Sequence, residues 1–369
     1  MKVALMGRSM RGRFSGVVRY TDQLVRHLSP RLGDDLTVFL TRAPDGLDGL
    51  TMRRVRAPFP TPNEYLRALW EQTVVPLEVA RLRPDVYHSP NYILPLAVSC
   101  PTVVTIHDLF YLDAALHRLR SHLYLTVLAT QAIRRATRII CISAYTRDRL
   151  LERLPETAAR VRLVGEGVDP RFRPPAPEAV ARAREAVGFD EPYVLFVGTV
   201  EPRKNLPRLI RAFGTAVGRG RLPHRLVIAG GQGWKDGPVR EAYESSPVKG
   251  RIRLAGYVAD DLLPAVYGGA DVFAYPSQAE GFGLPPLEAM ACGTAVLTSA
   301  TSALPEVVGE AALLVDPQDE AAIAEGLERL LSDAGERRAR AEAGLRRAAA
   351  FSWERTAEET LAVYREAAA

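Results

Sequence analysis

Short apolar runs recur along the 369-residue chain, and the stretches between most of them are long enough for one helix. In the first half they read KVALMG, LTVFL, DVYHS, TVVTIHD and RIICIS. In the second half they read YVLFVG, HRLVIAG, RIRLAGYV, DVFAYPS, TAVLTS and AALLV. The runs are mostly continuous rather than alternating, as expected of strands covered on both faces. Stretches such as SGVVRYTDQLVRHL and PRLIRAFGTAV carry apolar residues at the spacing of an amphipathic helix. The pattern predicts an α/β fold with two doubly wound parallel sheets. No short repeat interrupts it, and the two halves share architecture without evident sequence similarity.

Such a length exceeds the usual size of one hydrophobic core, so two domains are expected. Proline and charge cluster in VDPRFRPPAPEAVARA (168–183), which places a break there. The reading is an N-terminal domain over 1–172, a linker at Asp169–Pro177 and a C-terminal domain over 178–350. The terminal stretch FSWERTAEETLAVYREA is a further amphipathic helix, with Trp353, Ala357, Leu361 and Tyr364 at helical spacing.

Composition adds exclusions. Hydrophobic residues at 47 % and charged ones at 25 % describe an ordinary globular chain. The three cysteines are widely spaced and fit no metal or disulfide framework, which favours a reducing, cytoplasmic setting. MKVALMG runs straight into a strand and is too short for a signal peptide. No apolar stretch approaches the roughly 18 residues of a membrane span. Residues 1–172 carry 25 Lys and Arg against 16 Asp and Glu, while the whole chain is only +5. Two readings of that basic half stand: affinity for an anionic membrane surface, phosphate-bearing acceptor or nucleic acid, or an arginine-rich solvated surface.

Ligands of open α/β sheets bind beyond the carboxyl ends of the strands, so residues following strands are the candidates. In LFVGTVEPRKN (195–205) a strand ends at Gly198, a loop carries Arg203 and Lys204, and a helix begins about Leu206. Two cations beside a helix N-terminus, where free N–H groups and the dipole favour anions, suit a phosphate. Only four of the 48 basic residues are lysines, so a lysine here stands out. The bland alternative is a solvated basic loop. In AEGFGLPPLEA (279–289), Glu280 lies in a glycine-rich loop after a strand that ends near Ser277. Pro285 and Pro286 suit the first helical turn and Gly293 ends the helix. On this reading Glu288 is in the first turn, where meeting the helix dipole would suffice to explain it. Glu280 has no such explanation, and the Pro-Pro corner would hold it as a rigid acceptor.

In TVVTIHDLF (102–110), His107 and Asp108 follow an apolar strand. A histidine there either hydrogen-bonds a substrate and exchanges protons or is structural. YHSPN places His88 and Asn91 at another strand end. In GRSMRGRFSGVVRY (7–20), Gly16 near a helix start permits close backbone approach to a ligand. Neither a dinucleotide fingerprint nor a P-loop occurs. No Asp-x-Asp pair is present to hold a metal on a diphosphate, so Arg203, Lys204 and helix dipoles would supply the positive charge.

Taken together, VGTVEPRKN, GYV (256–258), EGFGLPPLEAMACGTAVLTSATSALPEVVG and FSWERTAEETL resemble the family-four retaining glycosyltransferases of GT-B fold. With SGVVRYT, HSPN and TIHDL the resemblance is to bacterial mannosyltransferases of polysaccharide and O-antigen assembly. It implies metal-free transfer of a sugar, with retention, from a nucleotide-sugar donor to a glycan, lipid-linked saccharide or small molecule. It needs no cofactor, and GDP-mannose is the first expectation, UDP-glucose and other UDP-sugars the alternative. The donor would lie mainly on the C-terminal domain, in a cleft, and the helix over 352–369 would pack on the N-terminal domain. Arg203 and Lys204 would neutralise the leaving diphosphate. Glu280 and the Gly281–Phe282–Gly283–Leu284 turn would hold the donor sugar, and Glu288 the ribose. Tyr257 and Val258 would lie beside the base, and Gly16 would approach the diphosphate. His107 would touch the sugar near the reacting centre, with Asp108, His88 and Asn91 towards the acceptor. Many relatives carry arginine where this chain has Thr199, so the phosphate contacts would be divided differently.

A glycoside hydrolase could also use two carboxylates, but a first-turn Glu288 would be held ionised and the phosphate loop would be idle. A nucleotide-sugar epimerase or a phosphorylase shares the architecture and explains the glutamate motif less well. A non-catalytic nucleotide-sugar-binding protein is the other class. Nucleic-acid binding lacks aromatics interleaved on a basic face. A cytoplasmic protein, at most peripheral on the inner membrane face, is expected.

Overall fold

The computed structural model describes residues 1–7, 10, 16–41, 47, 49–57, 64–110, 119–188, 191–220, 222–231, 233 and 236–369. These form two compact units, Met1–Gly167 with Ser352–Ala369, and Val168–Phe351. The first unit runs β1 (Val3–Met6), α1 (Gly16–Leu32), β2 (Leu36–Leu40), β3 (Arg53–Arg56), α2 (Glu64–Leu82) and β4 (Val86–Ser89). It continues with β5 (Thr102–Ile106), α3 (Leu119–Arg135), β6 (Arg138–Cys141), α4 (Ala144–Arg153) and β7 (Val161–Leu163). Its sheet is parallel, in the order β3-β2-β1-β4-β5-β6-β7. Phe39, Trp70, Tyr87, Val104, Ile106 and Ile139 centre its core.

The second unit begins with α5 (Pro177–Val187), β8 (Tyr193–Val197), α6 (Leu206–Arg219), β9 (Arg225–Ala229), α7 (Gly237–Glu244) and β10 (Ile252–Gly256). It continues with α8 (Leu263–Gly268), β11 (Val272–Tyr275), α9 (Leu284–Ala291), β12 (Ala295–Ser299) and α10 (Leu304–Val308). β13 (Leu313–Val315), α11 (Glu320–Ser332) and α12 (Ala334–Ala348) complete it, and α13 (Trp353–Ala368) returns to the first unit. The second sheet is also parallel, in the order β10-β9-β8-β11-β12-β13.

All six apolar runs of the second half are strands, and the five of the first half are β1, β2, β4, β5 and β6. Two more strands, β3 and β7, close the edges of the first sheet. Their sequences, RRVR and VRL, show no apolar run because an edge strand is covered incompletely and tolerates charge. Asp169–Pro177 does not hang between the units: Phe172 is buried and meets the Tyr267 ring edge-on at 5.8 Å between centroids. Cys141 and Cys292 are buried and Cys100 is half-buried, all three as free thiols. Among the described residues no helix is long and apolar enough to cross a membrane.

Candidate active site

In the second sheet the strand order reverses between the neighbours β8 and β11. Loops leaving a sheet at such a point diverge and open a crevice at the carboxyl ends. The loop after β8 carries Thr199, Arg203 and Lys204, and the loop after β11 carries Ser277 and Glu280. Arg203 and Lys204 occupy a 3₁₀ turn, Pro202–Lys204, which ends on Asn205 in the left-handed region (φ 61°) ahead of α6. The two loops are stitched together. The Gln278 N–H donates to the Arg203 carbonyl at 2.8 Å, and the Asn205 amide donates to the Pro276 and Pro317 carbonyls at 3.0 and 2.7 Å.

That stitching converges three sequence-selected side chains. Lys204 Nζ donates to Glu280 Oε1 at 2.7 Å, Arg203 Nη1 to Glu280 Oε2 at 2.6 Å, and Ser277 Oγ to Oε1 at 2.6 Å. Arg203 Nη2 also pairs with Glu201 at 2.6 Å, and Lys204 Nζ bonds the Tyr275 hydroxyl. Lys204 and Glu280 are only 6 % and 7 % exposed, so the pair is largely desolvated. Burial works against ionising Glu280, but Lys204, Arg203 and the hydrogen bonds of Lys204 and Ser277 outweigh it and hold the carboxyl at about 2. Burial pushes the Lys204 ammonium below its ordinary value. Glu280 opposes that push, while Arg203, with which Lys204 shares Glu280, reinforces it. Burial also opposes the Arg203 charge, but Glu280 and Glu201 overcome it and raise Arg203 further. The result is a rigid, ionised cluster whose lysine keeps one of three N–H groups unassigned among the described residues.

The sequence reading of Glu288 needs correction. Gly283 (φ 126°) caps α9 and the helix starts at Leu284, with Leu287 N–H already bonded to the Gly283 carbonyl at 3.3 Å. Glu288 is therefore its fifth residue, past the turn whose free N–H groups meet a carboxylate. It is 3 % exposed, and its Oε2 accepts from the Tyr267 hydroxyl at 3.0 Å. Dipole capping does not explain it, and the argument against a glycosidase that used a first-turn position lapses. Gly281, Phe282, Gly283 and Leu284 are buried, with Phe282 edge-on to Phe351 at 6.0 Å. Thr199 and Tyr257 are exposed and Val258 is half-buried. The loop after β9, AGGQG, received no role from the sequence. A Cβ on Gly230 (φ 148°) would lie 1.9 Å from the Gly198 carbonyl oxygen, so only glycine lets this loop close on the β8 loop.

In the first unit His107 follows β5 and is 7 % exposed. Its Nε2 faces the Pro90 carbonyl at 2.9 Å and its Nδ1 faces Glu166 Oε1 at 3.2 Å. A carbonyl only accepts, so Nε2 carries a proton, and Nδ1 is taken by the carboxyl. The ring is clamped, further by the Tyr20 ring edge at 4.7 Å, and turns no free nitrogen outward. Glu166, between two glycines of GEGVD just after β7, was missed; its place beyond a strand end was the available signal. Asp108 Oδ1 accepts from Phe110 N–H at 3.1 Å, and Asn91 Oδ1 from Ser89 Oγ and Ile93 N–H at 3.0 and 3.1 Å, both closing turns. His88 is fully buried, with Nδ1 at 2.6 Å from the Tyr364 hydroxyl and Nε2 at 2.9 Å from Thr105 Oγ1. Its place as an acceptor-side residue gives way to a core bridge from β4 to α13 and β5. Gly16 opens α1, and among the described residues nothing lies within 4 Å of where a Cβ would be. Most of the rest of the 7–20 loop lies outside the described residues.

Comparison with known proteins follows the same division. Residues 14–172 match the family model described as Glycosyltransferase Family 4, and residues 180–347 match Glycosyl transferases group 1. O-antigen chain mannosyltransferase B of Escherichia coli is 33 % identical over 76 % of this chain and 74 % of its own length. D-inositol 3-phosphate glycosyltransferase of Salinispora arenicola is 38 % identical over 65 % of this chain, a match that spans little more than half, 57 %, of that relative. Among solved structures, sucrose-phosphate synthase from Thermosynechococcus elongatus superposes with a TM-score of 0.80 over 99 % of this chain and 98 % of that one, at 23 % identity. The chain belongs to the group 1, family 4 glycosyltransferases, as an enzyme of the hexosyltransferase class built on the GT-B fold.

Proposed function

We propose that the protein moves a hexosyl group, mannosyl first, from a nucleoside-diphosphate sugar to an acceptor hydroxyl, with retention and without a metal. The observation that carries this reading is the buried Glu280–Lys204 pair, with the half-buried Arg203 on the same carboxylate, at the strand-order reversal of the second sheet. Departure of a nucleoside diphosphate develops negative charge, which Lys204, Arg203 and the neighbouring start of α6 are placed to stabilise. The acceptor oxygen bonds to the anomeric carbon as the bond to the diphosphate breaks, and the acceptor proton passes to the leaving phosphate on the same face. Glu280 accepts from the sugar hydroxyls and Glu288 from the ribose. His107, with both nitrogens engaged, offers a fixed surface beside the sugar and is not the base. Asp108 faces the acceptor, which is a glycan, a lipid-linked saccharide or a small molecule. Weak peripheral contact of the basic first 172 residues with an anionic membrane belongs to the same reading.

The similarity to an O-antigen mannosyltransferase favours a mannosyl donor, GDP-mannose first, and a UDP-sugar is the second reading. A thermal-shift panel of GDP- and UDP-sugars with their free diphosphates tests both. The true donor class raises stability by about 2.7 kcal/mol at 100 times its dissociation constant. Release of nucleoside diphosphate should need an acceptor and persist in EDTA. Hydrolysis of glycosides with no nucleotide sugar present would sink the assignment.

A further inference from the structure

The two glutamates of AEGFGLPPLEA are each served by a buried tyrosine, and both tyrosines belong to one run of aromatic rings. Phe196 stacks on Tyr275 (centroids 5.5 Å apart, 17° between planes) and Tyr275 on Phe273 (5.7 Å, 19°). Phe273 meets Tyr267 edge-on at 5.3 Å, and Tyr267 meets Phe172 at 5.8 Å. Both tyrosines are fully buried. Their backbones are pinned as well: Thr298 Oγ1 donates to the Tyr275 carbonyl at 2.8 Å and Thr294 Oγ1 to the Tyr267 carbonyl at 2.7 Å. At one end the Tyr275 hydroxyl takes the Lys204 ammonium that lies on Glu280, and that ammonium also sits 4.9 Å from the Tyr275 ring centroid. At the other end the Tyr267 hydroxyl donates to Glu288 at 3.0 Å.

We infer that Tyr275 and Tyr267 are positioning residues, Tyr275 fixing the Lys204–Glu280 end of the donor site and Tyr267 fixing the Glu288 end. A buried hydroxyl bonded to a charged group favours one arrangement of that group, and its loss leaves the charge to its remaining partners in a looser one. Burial pushes the Tyr275 hydroxyl well above its ordinary value, so it stays protonated and meets the ammonium as a neutral dipole. Phe273, the one ring between the tyrosines, is fully buried, so the separation of the two charged ends is set by the packed core and not by the loop alone. The inference rests on the donor-site reading above, in which Lys204 meets the diphosphate and Glu288 the ribose.

Titration calorimetry of the whole protein with GDP, UDP and inorganic pyrophosphate separates the two ends, because pyrophosphate has no ribose. Tyr267→Phe should weaken the better-binding nucleoside diphosphate about tenfold, the order of one hydrogen bond to a charged group, and leave pyrophosphate unchanged. Tyr275→Phe should weaken both. Phenylalanine keeps each ring in the stack, and the thermal midpoint checks that the fold persists. Equal weakening of both ligands by Tyr267→Phe, or unchanged pyrophosphate binding in Tyr275→Phe, overturns the inference and leaves only a structural role. Lys204→Ala and Glu288→Gln serve as references. If these lose binding while both tyrosine variants match wild type, the inference falls and the donor-site reading stands. If the references bind as wild type does, or wild type binds none of the three ligands, the reading falls and takes the inference with it.

Discussion

Lys204 keeps its charge where burial disfavours it, and Glu280 makes that possible. Replacing it by alanine removes the cation nearest the proposed leaving group, so kcat should fall about 10²- to 10³-fold, as when one preorganised charge-stabilising group is lost. Circular dichroism should show the fold retained, and full activity would refute its phosphate role. The pH profile follows from the same pair. Glu280 is held at about 2, so its carboxylate stays ionised through the ordinary acid range and should set no limb there. Lys204 is depressed, so activity should fail on the alkaline side at a pH below that of a free lysine, near 10.4. For stability the sign is fixed by Glu280's lowered value. Its contribution is complete above the unfolded carboxyl's pKa, about 4.3, and is lost as pH falls from there through about 2. Glu280→Gln leaves the buried Lys204 and the half-buried Arg203 short of a counter-charge, and denaturant titration should show a loss of roughly 3–5 kcal/mol.

At the scale of the element, the stretch from Glu280 to Glu288 is shaped by where α9 begins. Gly283 adopts φ 126°, and a Cβ there would lie 2.9 Å from Leu304 Cδ2. Gly283→Ala should therefore destabilise the protein by about 1–3 kcal/mol and weaken nucleoside diphosphate binding by moving Glu288, measured by thermal midpoint and calorimetry. The sequence could announce this helix through its prolines but not place its first residue, since proline is compatible with more than one early position. That ambiguity of a residue or two put Glu288 at a dipole it does not meet. The convergence of Arg203, Lys204 and Glu280 was legible in kind, because all three follow strands whose apolar runs are unmistakable. The ion pairs were not, since they depend on β8 and β11 being neighbours although they are separated in sequence by β9 and β10. The partners Tyr275 and Tyr267 were silent for the same reason: each acquires its meaning from a neighbour distant along the chain.

In the whole molecule the chain leaves the first unit after Gly167 and α13 returns to it, so that unit is closed by its two ends. The closure has an apolar and a charged part. Trp353, Ala357 and Tyr364 are buried, while Glu354 pairs with His27, Glu358 with Arg31, and Glu366 with both Arg138 and Arg162. The surface pairs are partly exposed and each contributes little. The buried bridge from Tyr364 to His88 is different, because no water reaches it. Burial, with a smaller push from His107, lowers His88 from 6.5 to about 3, so the folded protein keeps that ring neutral where an unfolded chain would protonate it. Between those two values the unfolded state binds one more proton, and stability must fall as pH falls. The slope this one group contributes is at most about 1.4 kcal/mol per pH unit. His88→Gln removes the titrating group and keeps an amide within reach of Tyr364 and Thr105. Its stability at pH 7 should be lower than that of wild type, and the gap should narrow as urea titrations are taken from pH 6.5 to 5. A gap independent of pH would show that His88 titrates alike in both states, and a gap that widens would show it charged in the fold; on either outcome the neutral bridge to the terminal helix would have to be abandoned.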